Sequence, residues 1–174
     1  MSNETEFVIP DRVGDPVRAW RTWLVVPQNG TSGPLRLQSI VYGHLWEPKE
    51  IQEATCRAQT ISSCIAPEEN HSCGIYAVDR EEVDHYYRDP TYTARRGSML
   101  IWKVVGEIAM WGKIIEGTKG YRAQFAYPTK LQIPRILKGQ EMHLTANEVK
   151  AGLEHYKCEV EIIDDTLKLI QRKV

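Results

Sequence analysis

The chain has 174 residues, of which 42% are hydrophobic and 26% charged, an ordinary composition for a soluble globular protein. We therefore expect one domain over residues 1–174, with a flexible segment at residues 1–15. The net charge of −1 argues against a partner recognised by overall charge. Charged residues interrupt the most apolar stretch, residues 99–115, which excludes a membrane span there, and no membrane partner is expected.

The first third of the chain predicts two strands followed by a helix. Residues 17–27 (VRAWRTWLVVP) are rich in tryptophan and valine, as strands are. The loop QNGTSGP at residues 28–34 precedes a second strand within residues 35–46. Residues 47–60 (EPKEIQEATCRAQT) predict a helix, because a proline in the first turn is followed by acids and by apolar residues at helical spacing.

The middle of the chain predicts a β-hairpin. A strand at residues 73–78 (CGIYAV) and a short helix or polar turn at residues 79–90 lead into it. The hairpin joins residues 100–115 to residues 121–127 through the turn EGTKG at residues 116–120.

The last elements are a helix and a strand. Thr145 and Glu148 form a capping-box pattern that begins a helix extending to about His155. Residues 158–163 (CEVEII) predict a final strand. Strands outnumber helices without regular alternation. This pattern predicts an α+β fold with two or three short helices and a strand-rich mixed or antiparallel sheet, or a partly closed β-barrel.

Three of the four cysteines lie close together with a histidine between them, in the pattern Cys-x7-Cys-x6-His-x-Cys. These candidate metal ligands are Cys56, Cys64, His71 and Cys73. Structural zinc is commonly held by three cysteines and one histidine, and proximity in sequence lowers the cost of closing the site. The alternatives are ordinary buried cysteines beside a polar loop histidine, or a disulfide. We expect a structural zinc ion.

The cellular compartment bears on this choice. The first residues, MSNETEFVIPDR, contain neither the basic nor the apolar region of an export signal. We therefore expect a cytoplasmic protein. In a reducing cytosol, clustered cysteines bind metals more often than they form disulfides.

Positive charge is concentrated in one part of the chain. Residues 86–138 contain ten lysines and arginines against three acids, whereas the segments on both sides are acidic. If these basic residues share a face, they predict an anionic partner, with Arg95 and Arg96 among its contacts. Alternatively, they neutralise acidic neighbours.

The hairpin also contains a candidate ligand site formed by Trp111, Arg122 and Tyr127. A tryptophan face can stack a planar base while a neighbouring guanidinium holds a phosphate or carboxylate. The alternative is that Trp111 fills the core and Arg122 pairs with Glu107 or Glu116.

Three sequence blocks carry a resemblance: CGIYA at residues 73–77, MWG at 110–112 and GYRA at 120–123. With the Cys/His-rich stretch before them, they resemble an uncharacterised group of small bacterial and phage proteins. The resemblance covers residues 17–134 and implies no activity. The strand-rich domain also resembles the PUA-like barrels, which implies a modified base or RNA as ligand by fold-level analogy alone.

The sequence contains no H-E-x-x-H, G-x-S-x-G or phosphate-binding glycine motif. A nucleophilic pair of Cys158 with His143 or His155 is a candidate for catalysis. The favoured interpretation is a non-catalytic binding module with a structural zinc that recognises a nucleotide, a modified base or single-stranded nucleic acid. The alternatives are an enzyme acting on a small anionic substrate in the same pocket, and a protein-interaction module, which the resemblance would make phage-related.

Overall fold

The computed structural model describes most of the chain, and strands predominate in it. The described residues are 15–29, 33–56, 64–88, 102–135 and 144–164, with the backbone alone at 95–96 and 99–100. The segment predicted to be flexible lies outside them except for Asp15. The predominance of strands over two short helices confirms the predicted α+β class.

The elements are numbered in chain order. The first half contains β1 (Val17–Pro27), β2 (Leu35–Ser39), β3 (Leu45–Trp46), β4 (Gln52–Glu53), β5 (Ile75–Val78) and α1 (Val83–Arg88). The second half contains β6 (Arg95–Arg96), β7 (Met99–Leu100), β8 (Lys103–Gly117), β9 (Gly120–Pro134), α2 (Ala146–Leu153), a 3-10 turn (Glu154–Tyr156) and β10 (Glu159–Ile163).

The hairpin of β8 and β9 is the longest feature of the fold and confirms the sequence prediction. Its two strands of 15 residues are joined across Thr118 and Lys119. Because β8 occupies one edge of β9, the other edge is available for further strands. That edge carries β5, then β4, then β10. β10 is parallel to β9, whereas the other ladders are antiparallel, so the sheet is mixed.

Strand β1 connects the hairpin to the rest of the sheet. One of its edges pairs with β8, and the opposite edge pairs with β2 and, at Trp20, with β5. Because β5 also pairs with β9, the ladder from β1 through β5, β9 and β8 returns to β1. The sheet is therefore partly ring-like.

The core lies between this curved sheet and α2. Large side chains without solvent exposure include Trp23, Trp46 and Ile108 from the sheet, and Leu153 and Tyr156 from the α2 region. Burial of such residues is the dominant favourable term in folding, at about 25 cal/mol per Å² of apolar surface. The core therefore holds α2 against the sheet.

Helix α2 begins as the capping box predicts. The Thr145 hydroxyl accepts a hydrogen bond from the Glu148 amide at 3.3 Å, and the Glu148 carboxylate accepts one from the Thr145 amide at 2.7 Å. These bonds satisfy amide groups that the first turn leaves without helical partners. The helix is eight residues long. Within the described ranges, no helix has the length and apolar character needed to cross a membrane.

The helix predicted at residues 47–60 is wrong over its described part. Residues 47–56 contain the short strand β4 and no helix, and residues 57–60 lie outside the described residues. Backbone groups here bond to β9: the Lys49 amide donates to the Tyr127 hydroxyl at 2.7 Å, and the Ala54 amide donates to the Gln124 carbonyl at 2.7 Å. Pairing with a buried strand therefore overrides local helix propensity, which is a weak determinant.

The Tyr156 hydroxyl joins the α2 region to the sheet, and its removal gives a stability prediction. The hydroxyl donates to the Trp46 carbonyl and accepts from the Leu37 amide at 2.9 Å. Tyr156→Phe should lower the free energy of unfolding by about 1–3 kcal/mol, because two buried backbone groups lose their partner. Urea unfolding measures the change. Tyr121→Phe is the matched control, since this tyrosine is only partly buried; equal effects of the two substitutions would contradict the prediction.

Candidate metal centre and adjoining cavity

The structure brings together Cys56, Cys64, His71 and Cys73. Their nearest donor atoms all lie within 4.8 Å of one another. The His71 Nε2 atom is 3.2 Å from the Cys64 sulfur and 3.9 Å from the sulfurs of Cys56 and Cys73. The Cys64 and Cys73 sulfurs are 3.6 Å apart. The four cysteines of the chain are free thiols rather than disulfides. This cluster could hold a metal ion.

Strand pairing explains why residues so far apart in sequence meet. β4 and β5 occupy the same edge of β9, at Phe125–Ala126 and at Gly120–Ala123. The chain leaves β4 toward Cys56 and enters β5 just after Cys73, so the two cysteines arrive at neighbouring positions along that edge. The β9 strand is therefore the scaffold of the cluster.

Gly74 lets the chain pass closely over β9 between Cys73 and β5. Its φ angle is +123°, and a Cβ atom there would lie 2.9 Å from the Pro67 Cβ and 3.1 Å from the Arg122 Cβ. Any other residue would be strained in this conformation and crowded by these neighbours. The backbone conformation beside Cys73 therefore requires the glycine of the CGIYA block.

Arg122 binds the backbone of the segment that contains the ligands. Its Nη1 atom donates to the carbonyls of His71 at 2.5 Å, Glu68 at 3.1 Å and Cys73 at 3.1 Å. The Glu68 amide in turn donates to the Cys73 sulfur at 3.2 Å. Such contacts outside the ligand set fix the orientation of metal ligands. Arg122 therefore holds the backbone on both sides of His71. Within the described residues it forms no ion pair with Glu107 or Glu116.

The environment of Cys64 disfavours a thiolate in the absence of a cation. Burial, followed by hydrogen bonding to the sulfurs of Cys56 and Cys73 and by their charge, raises the pKa of Cys64 to about 12. Three adjacent thiolates repel one another, and a divalent cation at their centre removes that repulsion and displaces the protons. A divalent cation at this position would therefore favour the thiolate form of Cys64.

The two aromatic residues of the predicted ligand site lie in the interior. Trp111 is only 6% exposed and stacks on Phe125, with ring centroids 6.1 Å apart. Tyr127 is 3% exposed, and its hydroxyl donates to the Tyr156 carbonyl at 2.8 Å. In the ladder Trp111 lies opposite Phe125 and Arg122 opposite Ile115. The burial of the indole does not favour stacking of a ligand on it, and the predicted binding role of this trio stays a prediction.

Many of the basic side chains in residues 86–138 form ion pairs with acids from neighbouring segments, as the alternative interpretation of that stretch expects. These pairs are Arg88–Asp84, Lys113–Glu68, Lys119–Glu82, Lys130 with Glu159 and Glu161, and Arg135–Asp164. The backbone places Arg95 and Arg96 on β6, paired with β7. Their side chains are outside the described part of the chain, so their contact with an anionic partner stays a prediction.

Cys158 is a poor candidate for a nucleophile. Burial raises the pKa of its thiol to about 12, and a nucleophilic cysteine needs a thiolate. His155 faces Arg36, whose Nη1 lies 3.4 Å from its Nε2. His143 lies outside the described residues.

A cavity of about 590 Å³, which no sequence pattern predicted, adjoins the Cys/His cluster. Cys56, His71 and Cys73 form part of its wall, together with Arg21 of β1. One sequence feature could have indicated it: Arg21 lies two residues from both Ala19 and Trp23 and therefore shares their face of the strand. Ala19 and Trp23 are 1% and 0% exposed, so this face is the buried one. A charged residue at such a position requires a partner.

No family model, curated protein or solved structure gives a significant match to this chain. The resemblances to small bacterial and phage proteins and to PUA-like barrels therefore stay predictions.

Proposed function

We propose that the protein is a non-catalytic binding module in which a bound zinc ion fixes one wall of a ligand cavity. The supporting observation is the convergence of the four donor atoms of Cys56, Cys64, His71 and Cys73, three of which belong to residues that line the cavity. The cluster and the cavity thus form one unit. Holding the ligands in place would also hold the cavity wall.

The distances within the cluster support zinc as the ion. Zinc–sulfur bonds of about 2.3 Å and zinc–nitrogen bonds of about 2.0–2.1 Å at tetrahedral angles separate the donors by roughly 3.5–3.8 Å. Four of the six separations among the His71 Nε2 atom and the three sulfurs are 3.2–3.9 Å, and all the donors lie within 4.8 Å of one another, so small shifts would bring them to these distances. Thiolates and imidazole are also the ligands that zinc prefers. Cys3His sites of this kind are typical of structural zinc.

A structural role also fits the number of ligands. Four protein ligands fill a tetrahedral zinc, whereas a catalytic zinc keeps one position for water or substrate. The enzyme alternative, acting on a small anionic substrate, stays a prediction, as does the protein-interaction alternative. The nucleotide, modified-base or nucleic-acid ligand also stays a prediction.

Metal analysis tests the zinc assignment directly. Protein purified without added metal should contain about one equivalent of zinc, as a closed four-ligand site implies. An alkylating reagent should modify the thiols of Cys56, Cys64 and Cys73 only after a chelator is added, because coordination protects their sulfurs. Cys64 should be the slowest of the three, since its pKa is raised. Cys158 should stay slow in the folded protein with or without chelator, since burial raises the pKa of its thiol. A folded, metal-free protein with four equally reactive thiols would contradict the assignment.

A further inference from the structure

The cavity beside the metal cluster arises from a fork in the sheet. On one edge of β1, pairing with β2 begins at Trp23, whereas β5 pairs at Trp20. Within the described residues, Arg21 and Thr22 therefore have no ladder partner on that edge, and both line the cavity. The two strands diverge at this point, and the gap between them opens the cavity.

Arg21 brings a positive charge into this gap. Its Nη2 atom donates to the Ser39 hydroxyl at 2.9 Å, and its Nη1 atom donates to the Tyr76 carbonyl. Both partners are neutral. Among the described residues, no carboxylate forms an ion pair with Arg21, and its buried Nε atom has no hydrogen-bond partner. The hydroxyl of Thr22, also in the cavity wall, likewise lacks a partner within that set.

A charge in this position is costly without a counter-ion. Burial lowers the pKa of Arg21 to about 10, so the guanidinium is still protonated at neutral pH. Arg21 as a whole is only partly buried, but its Nε atom is enclosed and without a partner in the described part of the chain. Charged groups with enclosed donors are normally paired, because their desolvation must be compensated. The one acid in the described cavity wall is Glu53, whose side chain is exposed. A zinc ion held by three thiolates in the same wall would leave one excess negative charge, which the guanidinium of Arg122 beside that segment offsets. The guanidinium of Arg21, without an ion-pair partner among the described residues, therefore favours a negatively charged occupant.

The remaining wall favours an apolar body attached to that charge. The Arg21 guanidinium carbon lies 5.3 Å from the ring centroid of Trp46, which also lines the cavity. Val41, Tyr42 and Tyr76 line it as well and are 43%, 74% and 45% exposed. Exposed apolar groups around a pocket are characteristic of binding surfaces. A volume of about 590 Å³ is in the range of small-molecule sites, which span roughly 300–1,000 Å³.

We propose that the cavity binds a small organic anion with an aromatic or other apolar body, and that Arg21 holds its negative group. This inference rests on the proposed binding function and adds the chemical class of the ligand. Carboxylates and sulfonates match the planar fork of the guanidinium, which forms strong charge-assisted hydrogen bonds with such groups. The aromatic walls bind the rest of the molecule by excluding water.

Two fluorescent dyes of similar shape test the charge requirement. The first is 8-anilinonaphthalene-1-sulfonate, an apolar anion, and the second is N-phenyl-1-naphthylamine, its neutral counterpart. Arg21→Gln should weaken the affinity for the anionic dye by roughly 10- to 100-fold, because a charge-assisted contact is lost. It should leave the affinity for the neutral dye within about twofold, since the apolar contacts are retained.

Arg18→Gln is the matched control, because Arg18 lies on the same strand but forms a partly exposed pair with Glu107. It should leave both affinities unchanged. Zinc content and melting temperature are measured on the same samples. If Arg21→Gln fails to fold, competition on the unmodified protein provides the test: benzoate should displace the anionic dye, and benzyl alcohol should not.

Equal effects of Arg21→Gln on the two dyes, or equal displacement by benzoate and benzyl alcohol, would overturn the role of Arg21. Zinc-loaded protein that binds neither dye would overturn the ligand cavity while the zinc assignment stands. Protein that binds the dyes but contains no zinc would contradict the zinc assignment instead. The two proposals can therefore fail separately.

Discussion

Cys64→Ser should abolish tight metal binding and cause a large loss of stability. The Cys64 sulfur lies 3.2 Å from the His71 Nε2 atom and 3.6 Å from the Cys73 sulfur, so its loss removes a central ligand. A metal present at 1,000 times its dissociation constant stabilises the folded state by about 4 kcal/mol, and the variant should lose about that much. Metal analysis and urea unfolding with and without chelator measure both effects.

Cys158→Ser is the control for this experiment, because Cys158 precedes β10 and lies outside the cluster. It should keep the full metal content and show no chelator-dependent change beyond that of the unmodified protein. Chelator should lower the stability of the unmodified protein to near that of Cys64→Ser. A Cys64→Ser variant that retains one equivalent of metal, or that remains sensitive to chelator, would refute the assignment of Cys64 as a ligand.

Arg122→Met should weaken metal binding although Arg122 is not itself a ligand. Its guanidinium holds the carbonyls of Glu68, His71 and Cys73 in place. Its positive charge also offsets the one excess negative charge that three thiolates leave around a divalent ion. Replacing groups that orient metal ligands typically lowers metal affinity by about 10- to 100-fold. Competition with a chromogenic chelator measures this affinity.

Lys113→Met is the control for charge alone. Lys113 pairs with the Glu68 side chain at 2.6 Å, close to the same segment, but both side chains are about 40% exposed. Exposed pairs contribute about 0–1 kcal/mol, so this variant should bind metal nearly normally. Equal metal affinity of Arg122→Met and the unmodified protein would show that the carbonyl contacts do not support the cluster. Equal weakening by Lys113→Met would attribute the effect to charge instead.

Patterns that depend on near neighbours predicted structure well. The capping box of Thr145 and Glu148 predicts the start of α2, because both hydrogen bonds form within one turn. The turn before Gly120 predicts the β8–β9 hairpin, because a short connection allows its two strands to pair directly. Residues 47–56 were predicted wrongly because bonds to β9, distant in sequence, determine their backbone.

The convergence of Cys56, Cys64, His71 and Cys73 in one cluster was predicted because thiolates and imidazole have few other roles when they occur close together, so residue type alone is informative. The position of Arg122 beside it was not predicted, since that depends on β9 lying under the chain between Glu68 and Cys73. The role of Trp111 likewise could not be predicted from the sequence. Its sequence context suits both a ligand surface and a core, and its stacking on Phe125 depends on strand register.

The sequence by itself determined the α+β class, the hairpin, the start of α2 and the four candidate metal ligands, because each depends on local spacing or on residue chemistry. Only the tertiary structure decided which strands share an edge. The positions of β4 and β5 on β9 assemble the metal cluster, and the divergence of β2 and β5 along β1 opens the cavity at Arg21. Such long-range pairing depends on the summed burial and hydrogen bonding of the whole sheet, which no local pattern records.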